Sequence, residues 1–215
     1  MTEFKDLPRP WQRVFELEWE SVCRGSRAIA AVITDRSGKI ISEARNRTGE
    51  RLDPNPKTAH AENTAVGAID TSLHPDLWAY TLYAGLEPCL MCMGTIVMGG
   101  IRHIEIGAKD NFGGAMKLID LFDFARAKNI EIVWRDGEFG DIQRGLQALR
   151  ELLYCTDSAR LDRILADFSE LNRPGVEAAR AIVSDGTFDH RDLSSFTAEE
   201  IYNKLVSYIT YTEEE

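Results

Sequence analysis

No stretch of this chain carries the roughly 18 consecutive apolar residues of a membrane-crossing helix. The opening residues Met1 to Pro8 have no apolar centre of the kind that directs export. These absences predict a cytoplasmic protein without membrane contact. Basic residues are in deficit: 25 Lys and Arg stand against 35 Asp and Glu, a net charge of −10. The deficit is uneven, with 19 against 22 in residues 1–155 and 6 against 13 in residues 156–215. An acidic protein repels polyphosphate, which counts against a nucleic-acid partner unless a local basic patch exists. Cysteines number only four. Cys23 and Cys155 stand alone in helical stretches and read as small apolar residues, not as a disulfide. Of the four histidines, His74, His103 and His190 have no companion at metal-ligand spacing and read as structural or surface groups.

What is present is a chain 44% hydrophobic and 28% charged, long enough for one well-filled core with an added subdomain. Trp11, Val14, Phe15, Trp19 and Val22 recur at helical spacing, predicting a core-facing helix over 8–24. Ala28 to Asp35 and Ile40 to Ala44 read as two strands joined by the turn Arg36-Ser-Gly-Lys39, a hairpin. A loop with one glycine and two prolines follows over 46–57. Its Arg45, Arg47, Arg51 and Lys57 form the most basic short stretch, diluted by Glu50 and Asp53 and read as a solvated loop. Thr58 is the predicted N-cap of a helix running to Ser72. Thereafter the pattern alternates: strand 80–85, helix 88–98, strand 102–107, helix 115–128, strand 129–134, helix 141–154. Alternating strands and helices mean an α/β fold around a buried mixed sheet. Residues 156–215 add helical periodicity over 161–168 and 201–208, with a start signal at Ser194 to Glu200.

Two segments carry chemistry. The first is His60-Ala61-Glu62, the second Pro88-Cys89-Leu-Met-Cys92. A zinc ion that keeps one position open takes three protein ligands, and imidazole and thiolate are its usual donors. Cys89 and Cys92 are three apart, so on a helix both sulfurs share a face, and Pro88 suits a first helical position. The positive end of such a helix favours the thiolate. Glu62, beside His60, is the candidate acid–base group. The residues alone also admit a closed structural zinc with Glu62 as fourth ligand, or no metal.

The H-x-E and P-C-x-x-C pair resembles the zinc-dependent nucleobase, nucleoside and nucleotide deaminases, the cytidine deaminase-like superfamily. Across residues 11–155 it is similar to the tRNA adenosine deaminase and guanine deaminase branch, including Ile101 to Gly114 after the cysteines. The resemblance implies a three-layer α/β/α sandwich with a five-stranded mixed sheet over residues 1–155, and a helical extension over 156–215. It implies one Zn²⁺ per subunit on His60, Cys89 and Cys92. It implies Glu62 as the proton shuttle that takes a proton from the zinc water and delivers it to a ring nitrogen and then to the leaving amine. It further implies Asn46 as a substrate contact and the backbone amides of Ala61 and Cys89 as holders of the base. For Asn46 the alternative is a turn asparagine bonded to its own backbone. Asn63 either tunes substrate choice or packs helices. Tyr208 and Tyr211 are lid candidates, since relatives fold a C-terminal segment over the site, and a homodimer is expected by the same analogy.

The substrate expected from charge and tail is a free nucleobase or nucleoside, purine ahead of pyrimidine. A tRNA adenosine-to-inosine deaminase is the alternative, and a non-catalytic, zinc-stabilised partner subunit a third reading.

Overall fold

The computed structural model describes residues 2–52, 54–186 and 192–214, with side chains through residue 209. Five strands form one mixed sheet in the order β2-β1-β3-β4-β5. β1 (Ala30–Thr34) runs antiparallel to β2 (Ile40–Arg45) and to β3 (Thr81–Leu86). β4 (His103–Ala108) and β5 (Glu131–Trp134) continue parallel from β3. Every residue of β1 is buried, as a strand covered on both faces requires. Alternate side chains therefore feed two cores: Ala30 and Val32 face one, Ala31 and Ile33 the other.

The first core lies beneath α1 (Arg9–Cys23), α5 (Glu138–Tyr154), α6 (Ser158–Ser184) and α7 (Ala198–Glu214). Trp11 and Trp19 are buried in it, as their helical spacing predicts, and Trp11 Nε1 donates to Glu105 on β4 at 3.0 Å. The second core lies beneath α2 (Ala61–Gly67) and α3 (Leu90–Gly99). The result is the three-layer α/β/α sandwich with its five-stranded sheet and C-terminal helices. α6 and α7 share the first core: Leu165, Val176, Ile182 and Leu205 sit in one cluster with Phe15 and Leu149. Burying these aliphatic side chains contributes about 1.5–3 kcal/mol each. Among the described residues no helix is long and apolar enough to cross a membrane.

Three predicted helices are corrected. α2 begins at Ala61 and ends at Gly67, because Thr58 closes a 3₁₀ turn (Pro56–Thr58) and His60 is extended, with ψ 149°. Thr58 is thus not the cap: its hydroxyl donates to the Asn55 carbonyl at 3.0 Å. The segment predicted as helix 115–128 is a 3₁₀ stretch (Met116–Leu121) and a short α4 (Asp123–Arg126), broken at extended Phe122. Pro88 lies outside α3, whose N-cap is Cys89.

α6 carries Pro174, which cannot donate to the helical ladder, and Asn172 departs from helical angles (φ −132°, ψ 52°). The kink divides α6 into a first half that reaches the functional end of the sheet and a second half packed on α5. Backbones touch there: a Cβ on Gly175 would come within 1.9 Å of the Asp141 carbonyl oxygen.

Candidate metal centre and its cavity

His60 is the N-cap of α2 and Cys89 the N-cap of α3, and each carbonyl accepts the first helical bond, from Thr64 N at 3.0 Å and Met93 N at 2.8 Å. Neither side chain caps its own helix, so imidazole and thiol are free to turn toward each other. The two helix starts meet beyond the ends of β1 and β3, which separates Cys89 from His60 by 29 positions in sequence and 3.5 Å in space. Cys92 Sγ lies 3.6 Å from the same His60 Nδ1, and the three donor atoms all fall within 4.8 Å of one another.

These spacings test whether the set fits zinc. Tetrahedral bonds of about 2.05 Å to nitrogen and 2.3 Å to sulfur put nitrogen and sulfur roughly 3.6 Å apart. Both observed separations match that edge, and one imidazole with two cysteines leaves a fourth position open. Without a cation the donors share protons. Hydrogen bonds from Cys92 and then His60 hold the Cys89 thiol down at about 4, while sharing with Cys89 and burial push the Cys92 thiol up. The Cys89 bond raises the His60 imidazole.

Glu62 is buried, one residue into α2, with Oε2 3.4 Å from Cys92 Sγ. It does not join the three-donor set. Burial raises its carboxyl above the ordinary range.

A cavity of about 540 Å³ opens over this centre. Its floor holds His60, Glu62 and Cys89 with Ile29 and Leu86. One wall is the loop after β4, bearing Asp110, Phe112 and Gly113. Glu87 shapes that loop by accepting from the amides of Asp110 and Met116, both at 3.1 Å. Gly114 lets it pass, since a Cβ there would meet the Glu87 carboxyl at 2.3 Å. Another wall is α5, with Arg144, Gln147 and Glu151. The first half of α6 covers the remainder through Arg160, Arg163, Ile164, Asp167 and Phe168.

Arg144 ties these walls together. It is almost wholly buried, donates to the Lys109 carbonyl at 3.0 Å and to Asp110 Oδ1 at 3.2 Å, and lies 4.6 Å from the Phe168 ring. Sequence reading missed Arg27, Arg144, Gln147, Glu151 and the α6 residues, because no short motif marks side chains that converge from three separate segments. The run Ile101 to Gly114, noted for its resemblance, was the one signal near Asp110 and Phe112.

The remaining candidates are placed as follows. Asn46 is buried, and its Oδ1 accepts from Thr48 N at 3.0 Å and Thr48 Oγ1 at 2.8 Å, the turn arrangement. Neither Asn46 nor the fully buried Ala61 is among the cavity-lining residues. Asn63 bridges helices, donating to the Thr58 carbonyl at 3.3 Å and accepting from Thr95 Oγ1 at 2.9 Å. Arg45, read with the basic loop, is the last residue of β2 and is not solvated: Glu50 and Glu20 hold it. Tyr208 donates to the Asp185 carboxylate and is absent from the cavity wall, so the covering element is α6 in its place. The Tyr211 side chain and His190 lie outside the described residues. His74 contacts Tyr80 Oη at 3.0 Å and His103 pairs with Glu131 at 2.9 Å. Cys23 and Cys155 are free thiols.

Residues 9–108 match the family described as the cytidine and deoxycytidylate deaminase zinc-binding region. A probable cytosine deaminase of Schizosaccharomyces pombe is 39% identical over 83 residues, 39% of this chain and 48% of that protein. A tRNA-specific adenosine deaminase of Aquifex aeolicus is 34% identical over 102 residues, 46% of this chain and 65% of that protein. The matches thus span about half to two-thirds of these curated relatives. A mutant protein solved in complex with 8-azaguanine shares the fold, with a TM-score of 0.53 and 25% identity over 68% of this chain and 84% of its own.

Proposed function

Because the chain belongs to the cytidine deaminase-like superfamily through its zinc-binding region, we propose that it is a zinc-dependent hydrolytic deaminase of a small nucleobase compound. It exchanges an exocyclic amino group for a carbonyl and releases ammonia. The observation that carries this reading is the tetrahedral spacing of His60, Cys89 and Cys92 with the Glu62 carboxyl 3.4 Å from one ligand.

His60, Cys89 and Cys92 would hold the zinc, which when bound would make a water acidic enough to attack near neutral pH. Glu62 does the proton work. Its carboxylate would take a proton from the attacking water and pass it to the ring nitrogen beside the amino-bearing carbon, then take the remaining proton of the hydroxyl now on that carbon and hand it to the amine, which leaves as ammonia. Its burial suits a carboxylate that must hold a proton between steps. The apolar floor residues Ile29 and Leu86 accept the flat face of a base, and the highly exposed Phe112 ring at the rim offers a stacking surface.

A purine is favoured over a pyrimidine because the similar structure holds a guanine analogue. A tRNA-editing reading is supported by the resemblance to the Aquifex enzyme. The net charge of −10 and the α6 cover argue for the small substrate. A homodimer is part of this proposal; Leu121, Phe122 and Phe124 are exposed apolar residues on the segment before β5, and light scattering that returned a 24.2 kDa particle would reject it. The deciding experiment is ammonia release by zinc-loaded protein from adenine, guanine and cytosine, their nucleosides and monophosphates, and a tRNA pool. Release from tRNA alone would replace this reading, and release from none of them would point to a non-catalytic subunit.

A further inference from the structure

The cavity is larger than a base needs, and part of its lining has a chemistry that deamination leaves unused. Residues 160, 163, 164, 167 and 168 follow the i, i+3, i+4, i+7, i+8 spacing of one helix face, and that face of α6 looks into the cavity. Its C-terminal part is engaged: Asp167 Oδ1 accepts from Asn111 at 3.1 Å and Phe168 lies against Arg144. Its first turns are not. Arg160 and Arg163 are exposed, Arg27 reaches the same cavity from the start of the β1 segment, and none of the three has an ion-pair partner among the described residues.

The acids of the cavity do not neutralise them. Glu87 accepts two backbone amides, Asp110 pairs with Arg144 at 3.2 Å, and Glu151 pairs with Arg150 at 2.8 Å. The Glu151 carboxylate lines the same cavity and disfavours an anion on its stretch of wall. Three uncommitted guanidiniums lining one cavity of a protein carrying −10 are a site for a compact dianion.

Building on the deaminase reading, we propose that the substrate enters as a nucleoside monophosphate, its base on the metal centre and its phosphate monoester held by Arg27, Arg160 and Arg163. The ribose then spans the region of Gln147 and Glu151. Arg160 and Arg163 lie in the first turns of a 27-residue helix, whose positive end adds to the attraction. Asp157 caps that helix through Arg160 N at 3.0 Å, so the guanidiniums, not the helix amides, make the contact.

The test is calorimetry on zinc-loaded Glu62→Gln protein with guanosine, adenosine and cytidine, each against its 5′-monophosphate, and with inorganic phosphate. One monophosphate binds at least about tenfold tighter than its nucleoside, and the advantage shrinks as salt rises. The Arg160→Gln/Arg163→Gln double variant loses most of that ratio, and lysines at the two positions restore part of it. Inorganic phosphate competes with the monophosphate and not with the nucleoside, a readout on the parent protein that stands if the double variant fails to fold. Equal affinities for every nucleoside and its monophosphate overturn the proposal, as does a ratio indifferent to the double variant at unchanged helix content. Preference for a tRNA pool over all monophosphates overturns it too. Ammonia release by the unsubstituted protein separates the two levels: a monophosphate preference without ammonia removes the deaminase reading and keeps the phosphate site, whereas ammonia with no monophosphate preference does the reverse.

Discussion

Replacing Arg144 with leucine removes the side chain that joins α5, the loop after β4 and α6. Two hydrogen bonds disappear, to the Lys109 carbonyl at 3.0 Å and Asp110 Oδ1 at 3.2 Å, together with a guanidinium 4.6 Å from the Phe168 ring. Breaking a buried ion pair from one side costs about 3–5 kcal/mol, because the other charge stays behind. Here the Asp110 side chain is 18% exposed and regains some water, which places the loss nearer 2–3 kcal/mol. For a chain of this size each kcal/mol moves the melting temperature by roughly 2–4 °C, so a fall of about 4–12 °C is expected. Substrate binding suffers as well, since Asp110, Phe112 and Phe168 lose their common anchor. KM should rise roughly tenfold, about 1.4 kcal/mol, with a smaller change in kcat, because neither the metal ligands nor Glu62 is touched. Thermal denaturation followed by circular dichroism, with steady-state kinetics alongside, measures both. A melting temperature within 1 °C of the parent, or a kcat loss at constant KM, would show that Arg144 is not the tie described.

Glu62→Gln keeps the shape of the side chain and removes the proton carrier; kcat should fall by roughly 10²- to 10⁴-fold while zinc content by atomic emission stays at about one per chain. Residual turnover near the parent's would defeat the assigned role. Cys92→Ser should lower zinc to well below about half an equivalent and lower the melting temperature, since the ion links the starts of α2 and α3. Full zinc in that variant would mean that another residue supplies the ligand. Glu18 supplies the pH prediction. It is fully buried, burial raises its carboxyl well above the ordinary range, and Oε2 has no partner. A raised folded pKa gives a contribution fully present below the unfolded value of about 4.3 and lost as pH climbs through the folded value. Glu18→Gln should therefore stabilise the protein at about pH 7.5, with the gain shrinking toward about pH 5. A gain that grew on acidification would contradict the sign.

The sequence alone settled what is local or carried by a motif. Apolar runs and helical periodicity located β1 to β5, α1, α3 and α5 to within a few residues, because the burial of an element shows in its own residues. The H-x-E and P-C-x-x-C segments pointed to the three donors that the fold brings together and to the buried Glu62 beside them, since coordination chemistry restricts donor types and spacing. Where backbone geometry competed with pattern, the reading slipped. The extended His60 cut short the helix predicted from Thr58, and the apolar run after residue 115 broke into two short pieces. Tertiary structure decided the rest. It brought His60 within 3.5 Å of a cysteine 29 positions away, turned Asn46 back onto Thr48, and laid α6, not Tyr208, across the cavity. The reason is physical: a cavity wall is assembled from residues far apart in the chain, each placed by the burial of its own element's opposite face. No local window of sequence contains the sum of those placements.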